Sequence, residues 1–387
     1  MLNQLVSAII NNYACFQTED YPLHSPKKMR SELPQQDESQ LVSSINPAKL
    51  ARSSRASGRV TLSDVARSAG VSAMTVSRAL RGERRVQPDL VLKITQIAQQ
   101  MGYVPDPAAR ALASQKSNQV LVLVPLLSNA LFVDVLDAIH QVLFTAGFHP
   151  LIGVTHYDSA EEEQLLRNYL PLRPAGLLLT GFDHSPAVQE LLSNCAIPCV
   201  HMMELAPSDG PLSVGFSQED AGAHITKHLL ERGYQRIAFC AGQLDARVRQ
   251  RAQGWKRELL GRGLYRPELE YLWPQPTSMA LGAQLFSAVR HQDPQVDAIF
   301  FCNDDIAQGA LMEALRQGIK VPDEIAIVGF NDLDASAQMV PPLTTIRTPR
   351  KQIGAESARL LLRLLRNDSI ESRQIDLGYE LVVRESS

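Results

Sequence analysis

Residues 60 to 78 read VTLSDVARSAGVSAMTVSR, and this stretch can set Ala73, Met74, Thr75, Ser77 and Arg78 on one outward face. That set offers a guanidinium, hydroxyls and small apolar groups. Its chemistry is hydrogen bonding and close contact with another surface, not covalent catalysis. The elements that must position it can be read from spacing. Thr61 with Asp64 three residues on is a helix N-cap pattern, Leu62, Val65 and Ala66 make an apolar face, and Ala69-Gly70 is a break. Ser72 caps a second helix, Thr75 sits at capping-box spacing, and Val71, Val76 and Leu80 are placed to close onto the first helix. The pattern predicts a helix-turn-helix whose second helix can enter a DNA major groove.

Charge segregates with this motif. From Arg52 to Lys116 eleven basic residues face four acidic ones, a balance of +7 in a chain whose net charge is −3, so the remainder carries −10. A basic head on an acidic body suits a protein in which one segment meets phosphates and the rest must not. With 387 residues, 45% of them hydrophobic, the chain can bury a small domain and two larger lobes. No apolar run approaches the roughly 20 residues of a membrane span. Leu5 to Ile10 lacks the preceding basic residues of a secretory signal, so export is not expected. Five cysteines, Cys15, Cys195, Cys199, Cys240 and Cys302, leave one unpaired in any full disulfide scheme, which points to a reducing cytoplasm. Cys195 and Cys199 lack a second ligand pair for zinc. No dinucleotide fingerprint, P-loop or nucleophile-base pair at recognisable spacing suggests an enzyme.

Residues 1 to 57, polar and without period, predict a disordered extension. A headpiece over 58–104 is completed by a third helix, from Pro88 to Met101, with Leu90, Val91, Ile94, Ile97 and Ala98 at helical spacing. Over 105–117, Pro107 opens a short helix to Ser114. About eight residues is too short for an isolated helix to be stable in water, so this linker is a candidate switch. From 118 to 387 the texture is βα alternation. VLVLV, GLLLT, IPCVHMM, LSVGF, RIAFCAG, DAIFFCND and EIAIVGF are near-continuous apolar strands separated by amphipathic helices. Parallel sheets covered on both faces, in two doubly wound lobes, are predicted, with ligands beyond the carboxyl ends of the strands. The expected strand-end residues are Leu126, Ser128, Phe132, Thr180, His184, Arg251 with Trp255, Asn303, Asp304, Asn331 and Asp332. Asp304 and Asp332 can equally cap helices or bridge lobes, and His184 can be structural. His140, His149 and His291 read as surface residues.

In this order, headpiece, proline-led linker and two βα lobes resemble the LacI family of bacterial transcription regulators across residues 59 to 384. The match rests on VTLSDVARSAGVSAMTVSRAL, MGYVPDPAARALAS, CNDDIAQGALMEALRQGIKVPDEIAIVGFND and PPLTTIRTPRKQIG. The resemblance implies a helix-turn-helix headpiece on a periplasmic-binding-protein-like body. It implies a homodimer on double-stranded operator DNA, with Ala73, Met74 and Arg78 reading bases and Thr61, Ser72, Thr75 and Ser77 holding phosphates. Ala109 and Leu112 would enter the minor groove, with Leu112 the wedge. Asp106 stands where the family usually has asparagine, which suits a cap on the linker helix.

In the body the resemblance assigns Arg251 to ligand hydroxyls or a carboxylate, with Asn303 and Asn331 across the cleft. Asn331 replaces an aspartate common in neutral-sugar members, which makes an anionic ligand easier to accept. LLLTGFDHSP, VGFSQEDA, AGQLDARV and IDLGYEL look more like gluconate-utilisation repressors than purine, ribose or lactose ones. The expected effector is gluconate or a related sugar acid, with no cofactor, metal or membrane partner. Its entry would close the lobes, melt the linker helices and release the operator. A neutral-sugar effector, a co-repressor of opposite sign and a sugar-binding receptor remain as alternatives.

Overall fold

The protein is described by a computed structural model covering residues 60–80, 86–104 and 117–387. The predicted extension and the linker residues Asp106, Pro107, Ala109 and Leu112 lie outside the described residues. The chain divides into two compact units, Met1–Tyr103 and Val104–Ser387.

In the first unit, helices α1 (Leu62–Ala69), α2 (Ala73–Leu80) and α3 (Pro88–Gln100) follow one another. Val65, Val76 and Ile94 are fully buried at their centre, with Ala66, Ala69, Ala79 and Ala98 filling around them. Small alanines let three short helices approach closely, and Gly70, at φ +72°, adopts the left-handed conformation that ends α1 and turns the chain.

In the second unit the first lobe contains β1 (Gln119–Val124), α4 (Ala130–Thr145), β2 (His149–Val154), α5 (Ser159–Tyr169), β3 (Gly176–Thr180), α6 (Pro186–Asn194), β4 (Cys199–Met202) and β5 (Ser213–Gly215). The chain then crosses to the second lobe: α7 (Gln218–Glu231), β6 (Ile237–Ala241), α8 (Ala246–Gly261), β7 (Glu270–Leu272), α9 (Met279–Gln292), β8 (Ala298–Phe301), α10 (Asp304–Gln317), β9 (Ala326–Asn331) and β10 (Thr344–Arg347). It returns as α11 (Arg350–Leu365), which packs on α4, and β11 (Gln374–Asp376), then crosses again to β12 (Glu380–Val382). The sheets run β11-β5-β4-β3-β1-β2 and β12-β10-β9-β8-β6-β7. Every pairing in them is parallel except β10 with β12.

In each sheet the strand order reverses once, between β1 and β3 and between β6 and β8. Crossover connections leave on opposite faces there, opening a crevice at the carboxyl ends. The helix packing that frames it relies on two glycines. A Cβ on Gly222 of α7 would lie 2.5 Å from the Arg251 carbonyl oxygen of α8, and one on Gly254 of α8 would lie 2.0 Å from that of Glu219. The two backbones therefore meet directly, which sets the height of α8 beside the cleft.

Four of the strands that the apolar-run reading passed over, β2, β7, β11 and β12, are the sheet edges. With one neighbour and a half-solvated face they carry no continuous apolar run. The charged helix α5, SAEEEQLLRNY, carries little apolar periodicity either: its buried residues are Glu162 and Leu166.

Candidate functional site: a recognition helix and an interlobe cleft

At the start of α1, Thr61 Oγ1 donates to Asp64 Oδ2 at 2.7 Å and the Thr61 N–H donates to the same oxygen at 3.0 Å. The Asp64 N–H completes a reciprocal capping box by donating to Thr61 Oγ1 at 3.4 Å. Hydrogen bonds from the Thr61 side chain and backbone, aided by Arg67, hold the Asp64 carboxyl below the usual carboxylate range. Ser72 accepts from the Thr75 N–H at 3.1 Å, with the two hydroxyls 2.9 Å apart. On α2, Val76 and Ala79 are buried while Met74 is 62% exposed. Arg78, four residues after Met74, lies on the same helical face. Ala73 turns only part of its surface to the outer face, as Thr75, Ser77 and Arg78 do. It is half-buried and packs on the headpiece core, because a helical Cβ points back over the preceding turn.

Two adjoining cavities occupy the cleft of the body. The larger, about 300 Å³, is lined by Thr155, Tyr157, Glu162, Thr180, His184, Glu204, Gln243, Asp245 and Arg247 among others. The smaller, about 40 Å³, is lined by Leu126, Phe132, Tyr157, Asp245, Arg247, Arg251, Thr277, Asn303 and Asn331 among others. Tyr157, Gln243, Asp245 and Arg247 belong to both. Four lining residues sit in the left-handed backbone region at strand exits: Tyr157 (φ +60°), Met203 (+78°), Gln243 (+50°) and Asn331 (+118°). Non-glycine residues rarely adopt this region, and such strain gathers where the surrounding fold holds a site in place.

Arg251 is 5% exposed. Its Nε–H donates to Gln218 Oε1 at 2.9 Å, its Nη1 to the Cys302 carbonyl at 2.6 Å, and its guanidinium lies 3.8 Å from the Phe330 ring centre. Burial lowers its pKa from the usual arginine value. Arg247, 7% exposed, donates from Nε to Asp245 Oδ1 at 3.2 Å, and its guanidinium lies 5.9 Å from the Phe132 ring centre and 5.8 Å from that of Tyr157. Its Nη1 is buried without a hydrogen-bond partner among the described residues. Burial opposes its charge, but Asp245, Tyr157 and Glu204 outweigh burial and raise its pKa above the usual arginine value. Burial pushes the Tyr157 hydroxyl up to about 12 and raises the Glu204 carboxyl, although Arg247 and Gln250 oppose the latter. Glu204 accepts from Gln250 Nε2 at 2.9 Å.

At the far wall His184 Nδ1 lies 3.0 Å from Glu162 Oε1, and its Nε2 lies 3.4 Å from Nδ1 of His201, which burial pushes down to about 4. Thr180 donates to the Leu123 carbonyl at 2.9 Å. Asn303 caps α10 by accepting from the Ile306 N–H at 3.1 Å, while its amide donates to Thr277 at 3.2 Å. Asn331 accepts from Thr348 at 3.2 Å.

The structure thus brings Leu126, Phe132, Arg251, Asn303 and Asn331 to the smaller cavity and Thr180 and His184 to the larger. Ser128 is exposed and lines neither; Asn129, which caps α4 through the Leu131 N–H at 2.9 Å, turns inward instead. Asp304 and Asp332 line neither cavity, and their hydrogen bonds bridge no lobes and cap no helix but tie segments together within the second lobe. Asp304 is fully buried and accepts from Leu333 N–H, Ser336 and Thr345, and Asp332 pairs with Arg347 and Arg384. Sequence reasoning missed Tyr157 and Glu162, which follow the overlooked strand β2. It also missed Gln243, Asp245 and Arg247, whose signal is their place in AGQLDARV, just past β6.

Residues 61–106 match the family described as bacterial regulatory proteins, lacI family, and residues 226–387 match a periplasmic binding protein-like domain. The chain is 50% identical, over 87% of its length and 98% of the relative's, to the HTH-type transcriptional regulator GntR of Pseudomonas aeruginosa. This chain belongs to the LacI family. The LacI-family chain is 48% identical to the transcription regulator GntR of Chromobacterium violaceum, with a TM-score of 0.68 over 70% of this chain and 99% of the other. The lac repressor dimer bound to operator and the anti-inducer ONPF superposes with a TM-score of 0.75 at 26% identity, over 85% of this chain and 99% of the other. As a LacI-family member with such relatives it is a DNA-binding transcriptional regulator, not an enzyme. Among the described residues no helix is long and apolar enough to cross a membrane.

Proposed function

We propose that the chain is a cytoplasmic homodimeric repressor of genes for sugar-acid uptake and catabolism, released from its operator when gluconate or a close relative enters the interlobe cleft. The observation that carries this reading is the cleft wall itself. Two buried arginines, Arg247 and Arg251, stand among hydroxyl, amide and carboxylate groups, a set that matches a polyhydroxylated anion.

On the DNA side, Arg78 makes a bidentate contact to guanine while Ala73 and Met74 give apolar contact. Thr61, Ser72, Thr75 and Ser77 hold phosphates, and Ala109 and Leu112 of the linker enter the minor groove. The Ser72 capping bond supports this by fixing the start of α2, which carries the base contacts, and the Thr61 box fixes α1 beside it. Coupling of about 1–3 kcal/mol between cleft and operator suffices for a 5- to 150-fold change in DNA affinity.

Titration with D-gluconate by calorimetry, with 2-ketogluconate, 6-phosphogluconate and ribose alongside, tests the effector. Micromolar binding of an acid but not ribose, with release of operator DNA in a gel shift by the same compound, is expected. Binding of ribose alone removes the sugar-acid reading.

A further inference from the structure

Resting on the sugar-acid reading, we infer that Arg247, not Arg251, docks the effector's carboxylate, at the junction of the two cavities, with the polyol chain running into the larger one toward His184 and Glu162. The two arginines differ in what they have left to give. Arg251 spends its Nε and Nη1 donors on Gln218 and the Cys302 carbonyl and lies over the Phe330 ring, so it ties α7, α8 and the end of β8 together. Arg247 spends Nε on Asp245 and keeps Nη1 buried and unbonded among the described residues. A buried guanidinium nitrogen without a partner is costly, and a carboxylate entering the adjoining cavity would supply the missing acceptor.

Position and charge agree. Arg247 faces both cavities, and the larger, near 300 Å³, is roomy enough for a six-carbon acid, whereas the one beside Arg251, near 40 Å³, is not. Asp245 fixes the guanidinium by one edge, as a second carboxylate must find it for forked recognition. Beyond it the Glu162 and Glu204 carboxylates are acceptors suited to hydroxyl groups and repellent to the acid end, so a hydroxylated carboxylate has one favoured orientation.

The test compares D-gluconate with its neutral isostere D-gluconamide by calorimetry on the full chain. For the wild type, a hydrogen-bonded charged pair predicts gluconate tighter by about 10- to 100-fold. In Arg247→Gln the two should bind within about threefold of each other, because the preference has lost its source. A preference in that variant equal to the wild type's overturns the assignment. Should the variant bind neither compound, Arg247→Lys decides: a preference cut to an intermediate value supports the forked contact, and an unaltered one rejects it. A wild-type chain that binds no sugar acid takes down the sugar-acid reading and this inference together; wild-type binding with an unchanged variant takes down this inference alone.

Discussion

Gln250 donates its side-chain amide to the Glu204 carboxylate at 2.9 Å, and this bond spans the cleft from α8 in one lobe to the exit of β4 in the other. The same carboxylate leans on Gly181 after β3, where a Cβ would come within 2.6 Å of Glu204 Oε1. One buried acid thus touches both lobes and faces Arg247 in the larger cavity.

Burial raises the Glu204 pKa, so the folded chain takes up this proton before the unfolded chain does. Its contribution is most favourable below the usual carboxylate value and is lost as pH rises through the raised one. Glu204→Gln keeps an acceptor for Gln250 without the charge. The variant should melt higher than wild type at pH 7, with the gain shrinking toward pH 4. It should also bind gluconate more tightly, since one repelling charge is gone. Thermal melts at both pH values and calorimetry check this; an equal gain at both pH values would rule it out.

Asp304 is a fully buried carboxyl, pushed up to about 6 by burial against the pull of Thr345, Leu333 and Ser336. Asp304→Ala strips three donors of their acceptor and should cost about 3–5 kcal/mol. Chemical denaturation monitored by the fluorescence of Trp255 and Trp273 reads the loss. Headpiece packing has no part in this bond set, so a headpiece signal from NMR should remain native-like.

Gly254→Ala should destabilise the body and weaken effector binding together. A methyl cannot sit 2.0 Å from the Glu219 carbonyl, so α8 must move, and it carries both Arg247 and Arg251. Gly261, near the end of the same helix, meets nothing within 4 Å of its Cβ, so Gly261→Ala is the matched control and should change neither property.

On the DNA side, Arg78→Ala should relax base preference at one operator position by about 1–3 kcal/mol, while Thr61→Ala should lower headpiece stability by about 0.5–2 kcal/mol without changing which sequence is preferred. Fluorescence anisotropy over a panel of single-base operator variants separates the two. A flat panel for Arg78→Ala, matching wild type at every base, contradicts its base-reading role.

The sequence by itself determined the headpiece almost completely. Its helices are held by local signals, the Thr61–Asp64 box, Gly70 and Ser72, whose partners lie within a few residues, and a charge bias no fold can hide. It determined the two parallel sheets as well, because interior strands buried on both faces must be apolar throughout. The edge strands and β10, whose Thr344 and Thr345 are buried polar residues, were decided only by tertiary pairing. So was the contrast between the two arginines. Four residues apart on one helix, Arg247 and Arg251 look alike in sequence; Gln218, Cys302 and Phe330, brought from three other elements, hold Nε, Nη1 and the face of the second, while among the described residues a nitrogen of the first has no hydrogen-bond partner.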